Sequence, residues 1–266
     1  MALVTFVIPV RHQDNAADWS RLTRYLSQTI SSIASQTSDD WRGVVVANQG
    51  AELPPIPPGF QIERVTFPPN TLHQKGSATR DEFLDAFRLD KGQRVLAGML
   101  SVPDTTYFMT VDDDDFVHRD LVTYVAAHPN STGWMISKGY GWTDGGNFLI
   151  ELNDFNLKCG TSLIIHSDLY NLPAGVESAD RKFVMEMLGS HRGVADLLKQ
   201  RGTPLVALPF RGAVYRVGNP GSHSRTPGIM RRYVFFPGWK TKPKSVLRNF
   251  ARIRPLWGKK YLDFFG

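Results

Sequence analysis

Four short apolar runs within the first 115 residues constrain this chain most. Residues 3–10 (LVTFVIPV) read as a buried strand, 42–47 (RGVVVA) as a second, 61–67 (QIERVTF) as a third and shorter one, and 106–111 (TYFMTV) as a fourth. Between the first two, residues 18–36 space Leu22, Tyr25, Leu26, Ile30 and Ile33 three and four apart, the period of an amphipathic helix. Residues 90–100 (DKGQRVLAGML) predict a further helix with Asp90 as its N-cap. Strands alternating with helices predict an α/β fold with a mostly parallel central sheet flanked by helices. In such sheets ligands bind beyond the carboxyl ends of the strands. Pro9, Val10 and Arg11, Asn48, and the run Asp112–Asp115 all fall there.

That run raises the main chemical question. YFMTVDDDDFVHRDL ends an apolar strand in four consecutive carboxylates, which repel one another unless something positive sits among them. Either the run splays into solvent or it holds a cation. Oxygen-only donors suit Mg²⁺ or Mn²⁺, which keep waters and bind substrate phosphates.

Composition narrows the setting. With 266 residues, 42% hydrophobic and 21% charged, the chain makes one globular domain, or one domain with an extension. A lone cysteine, Cys159, excludes an internal disulfide and fits a reducing compartment. The first ten residues lack the basic start of a secretory leader, and no eighteen apolar residues run together. The expectation is a cytoplasmic protein. From Arg231 onward there are ten Lys/Arg against one acid, Asp263, which leaves 21 basic and 24 acidic residues before it. A basic tail on a slightly acidic body points to an anchor rather than to nucleic acid.

Later segments read as antiparallel strands around Gly145-Gly146, as a strand and short helix in CGTSLIIHSDLY, and as a helix from Arg192 to Arg201 stopped by Gly202. Residues 203–218 read as a strand and its extension, followed by a loop containing His223. Trp134, Tyr140 and Trp142 admit two readings, a sugar-stacking platform or core, with core favoured.

Asp112-Asp113-Asp114-Asp115-Phe116-Val117-His118-Arg119-Asp120-Leu121 resembles the metal-site segment of GT-A fold glycosyltransferases, particularly the family 2 type. Val4 to Val10 resembles that family's first strand, Asp90-Lys91-Gly92-x-Arg94 the helix before its metal strand, and Cys159-Gly160-Thr161-Ser162 the segment lining its acceptor pocket. The likeness covers roughly residues 3–225 and implies a Rossmann-like catalytic domain over 1–228. Residues 1–121 would bind nucleotide sugar and metal, residues 122–228 would receive the acceptor, and 229–266 would form the basic aromatic tail. By the resemblance, Asp112 holds ribose or metal, Asp113 lies on the nucleotide sugar, and Asp114 is the main ligand of Mn²⁺ or Mg²⁺. Asp115 orients the donor sugar or a water; Pro9, Val10, Arg11 and Asn48 lie near the nucleoside; Lys91 and Arg94 neutralise phosphate. His223 completes the metal shell.

The sequence departs from the family in two places. Asn48 stands where an aspartate usually binds the base. Ser190 and His191 stand where inverting members carry an acidic pair, so His191 becomes the expected base, ahead of Asp180, Glu186 and Asp196. The implied function is transfer of a hexose from a nucleotide diphosphate sugar, UDP-linked, to a hydroxyl of a surface glycan or glycolipid, with inversion favoured. The alternatives are a retaining enzyme of the same fold, a sugar-1-phosphate nucleotidyltransferase, or a non-catalytic carbohydrate- or membrane-binding protein. A nucleotidyltransferase would carry a Gly-rich loop where this chain has RHQDNAADW.

In residues 244–266, Val246, Phe250, Ile253 and Trp257 fall on one helical stripe kinked at Pro255, with arginines and lysines alongside. Such a helix fits the interface of an anionic membrane, on the inner face of the cytoplasmic membrane. The other reading is a helix packed on the domain.

Overall fold

The computed structural model describes residues 2–72, 79–218 and 228–266. β1 (Ala2–Pro9), β2 (Trp41–Asn48), β3 (Phe60–Val65) and β4 (Thr105–Thr110) lie parallel in the order β3-β2-β1-β4. Both faces of this sheet are covered, which is why β1, β2 and β4 are largely apolar rather than alternating, whereas the edge strand β3 is only partly buried. Val4, Phe6 and Ile8 pack with α1 (Trp19–Ala34), whose Leu22, Tyr25, Leu26, Ile30 and Ile33 are buried as their spacing predicts. Val7, Val44 and Val46 face the other way, against Val95, Leu96 and Met99 of α2 (Arg80–Leu100). Each such side chain removed from water contributes roughly 1.5–3 kcal/mol.

Helix α2 starts ten residues before the expected one. Thr79 caps it, and Glu82 reaches back to the Thr79 N–H at 2.8 Å, so two otherwise orphaned donors are satisfied reciprocally. Asp90 is therefore inside the helix, where it pairs with Arg94 one turn on.

The chain then adds β5 (Phe116–Val117), α3 (Leu121–Ala126), β6 (Gly133–Met135), β7 (Gly139–Thr143), β8 (Phe148–Leu152) and β9 (Leu163–His166). β9 runs antiparallel between β4 and β6, and β10 (Val206–Ala207) closes the far edge. The resulting seven-stranded sheet, β10-β6-β9-β4-β1-β2-β3, has only β9 reversed, so the expected mostly parallel central sheet flanked by helices is present. α4 (Arg181–Phe183) widens into a π-turn over Val184–Leu188, and α5 (Val194–Gln200) ends ahead of Gly202 at φ 80°.

Residues 203–218 do not form one extended strand. The chain changes sheets after β10, across Leu208–Gly212, where Pro209 offers no donor. β11 (Ala213–Val217) enters a second, five-stranded sheet with the β7–β8 hairpin and β5. The tail is not one kinked helix either. It forms α6 (Pro243–Phe250), an edge strand β12 (Ile253–Pro255) antiparallel to β8, and α7 (Lys259–Phe265). A proline is tolerated at a sheet edge, where no partner needs its missing N–H. α7 seats Phe264 and Phe265 against Phe116, Tyr140 and Trp142. Trp134 sits between Tyr107 and Tyr124. All three candidate sugar-platform aromatics are thus core. No helix among the described residues is long and apolar enough to cross a membrane.

Two glycines bring α2 against the π-turn. A Cβ on Gly92 would lie 2.2 Å from the Val184 carbonyl oxygen, and one on Gly189 1.9 Å from that of Arg88. Helix propensity alone favours Gly92→Ala by about 1 kcal/mol. The clash is with backbone, so the net effect is expected to be a loss of roughly 1–3 kcal/mol, read from the urea midpoint. A raised midpoint would show that the π-turn yields.

Candidate active site

The sheet's register delivers the aspartates to the first strand. The Val111 N–H donates to the Val7 carbonyl at 2.9 Å, so the chain leaving β4 emerges level with the end of β1. There Asp112, Asp113 and Asp114 join Pro9 and Arg11 around a cavity of about 900 Å³. α2 contributes Asp90, Lys91 and Arg94; the segment Leu157–Gly160 and the turn Gly189–Arg192 complete the lining. Of the residues expected at a site, Pro9, Arg11, Lys91, Arg94, Asp112, Asp113, Asp114 and His191 line this one cavity.

The four carboxylates are treated unequally. Asp112 is ion-paired with Lys91 at a short separation, and its N–H donates to Thr161 Oγ1 at 2.9 Å. Burial pushes the Asp112 carboxyl up, but Lys91 outweighs it and holds the group below the usual range. Lys91 is conversely raised: burial lowers it, and Asp112 more than restores the charge. Asp113 is pushed up to about 7, first by burial and further by Asp114 and Asp112, against the pull of Arg11 and Lys91.

Asp115 turns inward and has no exposed surface. Its Oδ2 accepts from Thr161 Oγ1 at 2.7 Å and Cys159 Sγ at 3.0 Å, and its Oδ1 accepts from the Arg216 N–H at 3.2 Å. Burial, with Asp114 and Asp112 nearby, raises its carboxyl well above the usual range. The expectation that Asp115 acts on the donor sugar is therefore corrected. It lies beneath the cavity, where its side chain ties the run to Thr161 and β11.

Two further expectations shift. Asn48 is buried, with its amide already engaged: it accepts from Arg94 at 2.6 Å and donates to the Phe67 carbonyl at 2.6 Å. It positions Arg94 rather than facing a nucleoside. Arg94 in turn reaches the cavity with its charge matched by Asp90 at 2.9 Å. Val10 is fully buried core. His223 lies outside the described residues.

Among the described residues, Nε2 of His191 in the cavity wall has no hydrogen-bond partner. Burial lowers its pKa to about 4, with Lys91 acting in the same direction and Asp112 against it, so the ring is neutral at pH 7. Gly160 packs so closely that a Cβ there would meet Asp112 Oδ2 at 2.7 Å and Lys91 Nζ at 2.9 Å.

Arg216, which supports the run without lining the cavity, was missed by the sequence reading, as were the lining residues Arg80 and Arg88. The Arg216 side chain is fully buried, stacked on Tyr25 at 3.9 Å and against Phe116 and Trp142, each at 4.9 Å. Nε donates to the Asp114 carbonyl at 3.0 Å, Nη2 donates to Gln28 at 2.6 Å, and Nη1 pairs with Asp144. The available signal was a single cation inside the apolar run AVYRV.

As for a metal ion, Asp112 and Asp114 offer hard oxygen donors of the type Mg²⁺ and Mn²⁺ take. Among the described residues no group of three His, Cys, Asp or Glu is arranged to hold one without further ligands. The donor set fits an ion that keeps waters and substrate oxygens.

No protein-family model matches the chain. No curated protein matches it. Solved structures do. A crystal structure of TarS residues 1–349 from S. aureus is similar over 81% of this chain and 61% of that one, with 14% identity and a TM-score of 0.44. The same fragment in complex with UDP gives 82% and 61% coverage, 14% identity and a TM-score of 0.46. Rv0371C from Mycobacterium tuberculosis H37Rv, in complex with manganese, gives 81% and 92% coverage, 12% identity and a TM-score of 0.37. The chain thus spans about three fifths of the TarS fragment. These are likenesses in the path of the chain.

Two outcomes test the site's electrostatics. Arg216→Met leaves the Asp114 carbonyl and Gln28 without their donor, while Asp144 keeps Arg24 at 3.5 Å, and is expected to cost about 1–3 kcal/mol in urea unfolding, with Arg216→Lys losing less. His191 binds its proton more weakly folded than unfolded, so stability is present above the unfolded pKa of about 6.5 and falls as pH drops toward 4. His191→Gln should therefore lose less stability than wild type between neutral pH and about pH 4.

Proposed function

We propose that this protein is a glycosyltransferase that moves a hexose from a nucleotide diphosphate sugar, UDP-linked, to a hydroxyl of a glycan or glycolipid. One observation carries the reading: an acidic strand-end run and the cations Arg11 and Lys91 face the same cavity of about 900 Å³ at the carboxyl edge of a parallel sheet. That volume suits a nucleotide sugar. The cations suit its diphosphate and the carboxylates suit a cation shared with it.

In this reading Arg11 and Lys91 attract and orient the diphosphate. Asp112 and Asp114 would hold Mn²⁺ or Mg²⁺, which when bound supplies positive charge to the departing nucleotide diphosphate. The wall formed by Leu157–Gly160 and Gly189–Arg192 receives the acceptor. His191 Nε2, unpartnered and neutral at pH 7, takes the acceptor's hydroxyl proton. The acceptor oxygen bonds to the anomeric carbon as the bond from that carbon to the diphosphate oxygen breaks. Inversion follows from that single displacement. Retention is the second reading, favoured by the low basicity of His191, since a retaining path needs no strong protein base.

Calorimetry with UDP, and with GDP and CTP as controls, tests the site. UDP is expected to bind in the presence of Mn²⁺, and Asp114→Ala is expected to abolish the Mn²⁺ dependence. Absence of nucleotide binding under every condition would end the enzyme reading. With a turned-over donor in hand, His191→Ala should lower kcat by about 10²–10⁴ with little change in donor KM.

A further inference from the structure

The C-terminal segment has two faces of opposite character. Its inner face is docked: Phe264 is buried, and Asp263, the segment's one acid, lies 3.8 Å from His118 with its side chain 14% exposed. Its outer face leaves Leu247 and Trp257 73% and 74% exposed, with Phe250, Tyr261 and Leu262 about half exposed. Lys242, Lys244, Arg248 and Lys259 are exposed among them. Phe148 extends the same surface, because it is exposed and paired with Pro255 on the neighbouring strand.

We propose that this face docks on an anionic phospholipid bilayer. Three features select that partner. Cations are interleaved with the apolar side chains and the segment itself carries no exposed acid, so the surface is complementary to a negatively charged plane. A second copy of the chain would set two such cationic faces against each other, and lysine is depleted from protein–protein interfaces. Trp257 and Tyr261 have the amphipathic rings that sit at headgroup level, while long lysine stems reach back to the phosphates.

The surface adjoins the cavity. Arg232 lines the cavity wall, and the carbonyl of the next residue, Tyr233, accepts from Asn249 of α6 at 2.8 Å. Docking depends on the tail alone and stands independently of the reaction proposed above.

Cosedimentation of the full chain with phosphatidylcholine vesicles, with and without roughly one third phosphatidylglycerol, tests the proposal. Binding to the anionic vesicles is expected to be at least about tenfold tighter than to neutral ones and to weaken with salt. Each of K242Q, K244Q and K259Q should weaken it by about fivefold. L247A/W257A/L262A should weaken it while all cations remain, and all six side chains are exposed enough to spare the fold. Should that variant unfold in a thermal melt, the lysine variants decide. Equal binding to both vesicles, or binding to neither, would overturn the proposal. So would self-association of the wild type that L247A/W257A/L262A abolishes, since that would assign the face to a second copy.

Discussion

Four carboxylates in succession cannot all face one low-dielectric space unless cations share it. The structure meets that constraint by giving each aspartate a different environment. Asp112 takes Lys91 as its ion pair. Asp115 turns under the cavity onto Thr161, Cys159 and the Arg216 backbone. Arg216 passes beneath and fixes the carbonyl of Asp114. Asp113 and Asp114 are left facing the cavity. The Thr161 hydroxyl serves both ends of the run, accepting from Asp112 and donating to Asp115. One buried side chain thereby sets the turn.

Much of the remaining architecture follows from housing these partners. α2 must reach back to Arg80 to carry Lys91 and the Asp90–Arg94 pair along one wall. The π-turn must approach through glycines so that His191 arrives beside Lys91 and Asp112. The second sheet is needed to bring Arg216 under the run, with Phe116 and Trp142 as two of its three aromatic supports. Phe265 of α7 packs on those same two rings. The tail's inner face is thus coupled to the aspartates through one layer of aromatics, a burial worth several kcal/mol across two phenylalanines.

Legibility in the sequence followed the range of the interactions. β1, β2, β4 and α1 were readable because their periodicity is local and their burial is nearly complete. The convergence of Arg11 and the aspartates at one edge followed from parallel order alone. The start of α2 was also written locally, as Thr79-x-x-Glu82, but the apolar core of its later turns drew the boundary to Asp90. Asn48, Asp115 and Arg216 could not be placed. Which way a polar side chain turns at a strand end depends on partners 46, 44 to 101 and 72 to 188 residues away respectively. The tail failed for the same reason: a helical stripe was real over α6, yet β8 recruited the next residues as an edge strand.

Net charge proves a poor guide to what each surface of this chain attracts. The part of the chain before Arg231 has more acids than bases, yet Arg11 and Lys91 stand in its cavity, and some of the acids are consumed in matching Arg94, Arg216 and Lys158. The field at a site depends on which charges remain after such pairing, focused by low-dielectric walls. In the cavity Lys91 is matched by Asp112, with Asp113, Asp114 and Arg11 lining the same space, and the tail carries cations with its own acid turned away on His118. Two surfaces suited to anions therefore lie side by side, joined through Arg232, Tyr233 and Asn249. One is concave and furnished with carboxylates that can share a cation; the other is outward-facing and furnished with apolar side chains. That difference is what separates a site for a diphosphate from a surface for headgroups, although both begin from excess arginine and lysine.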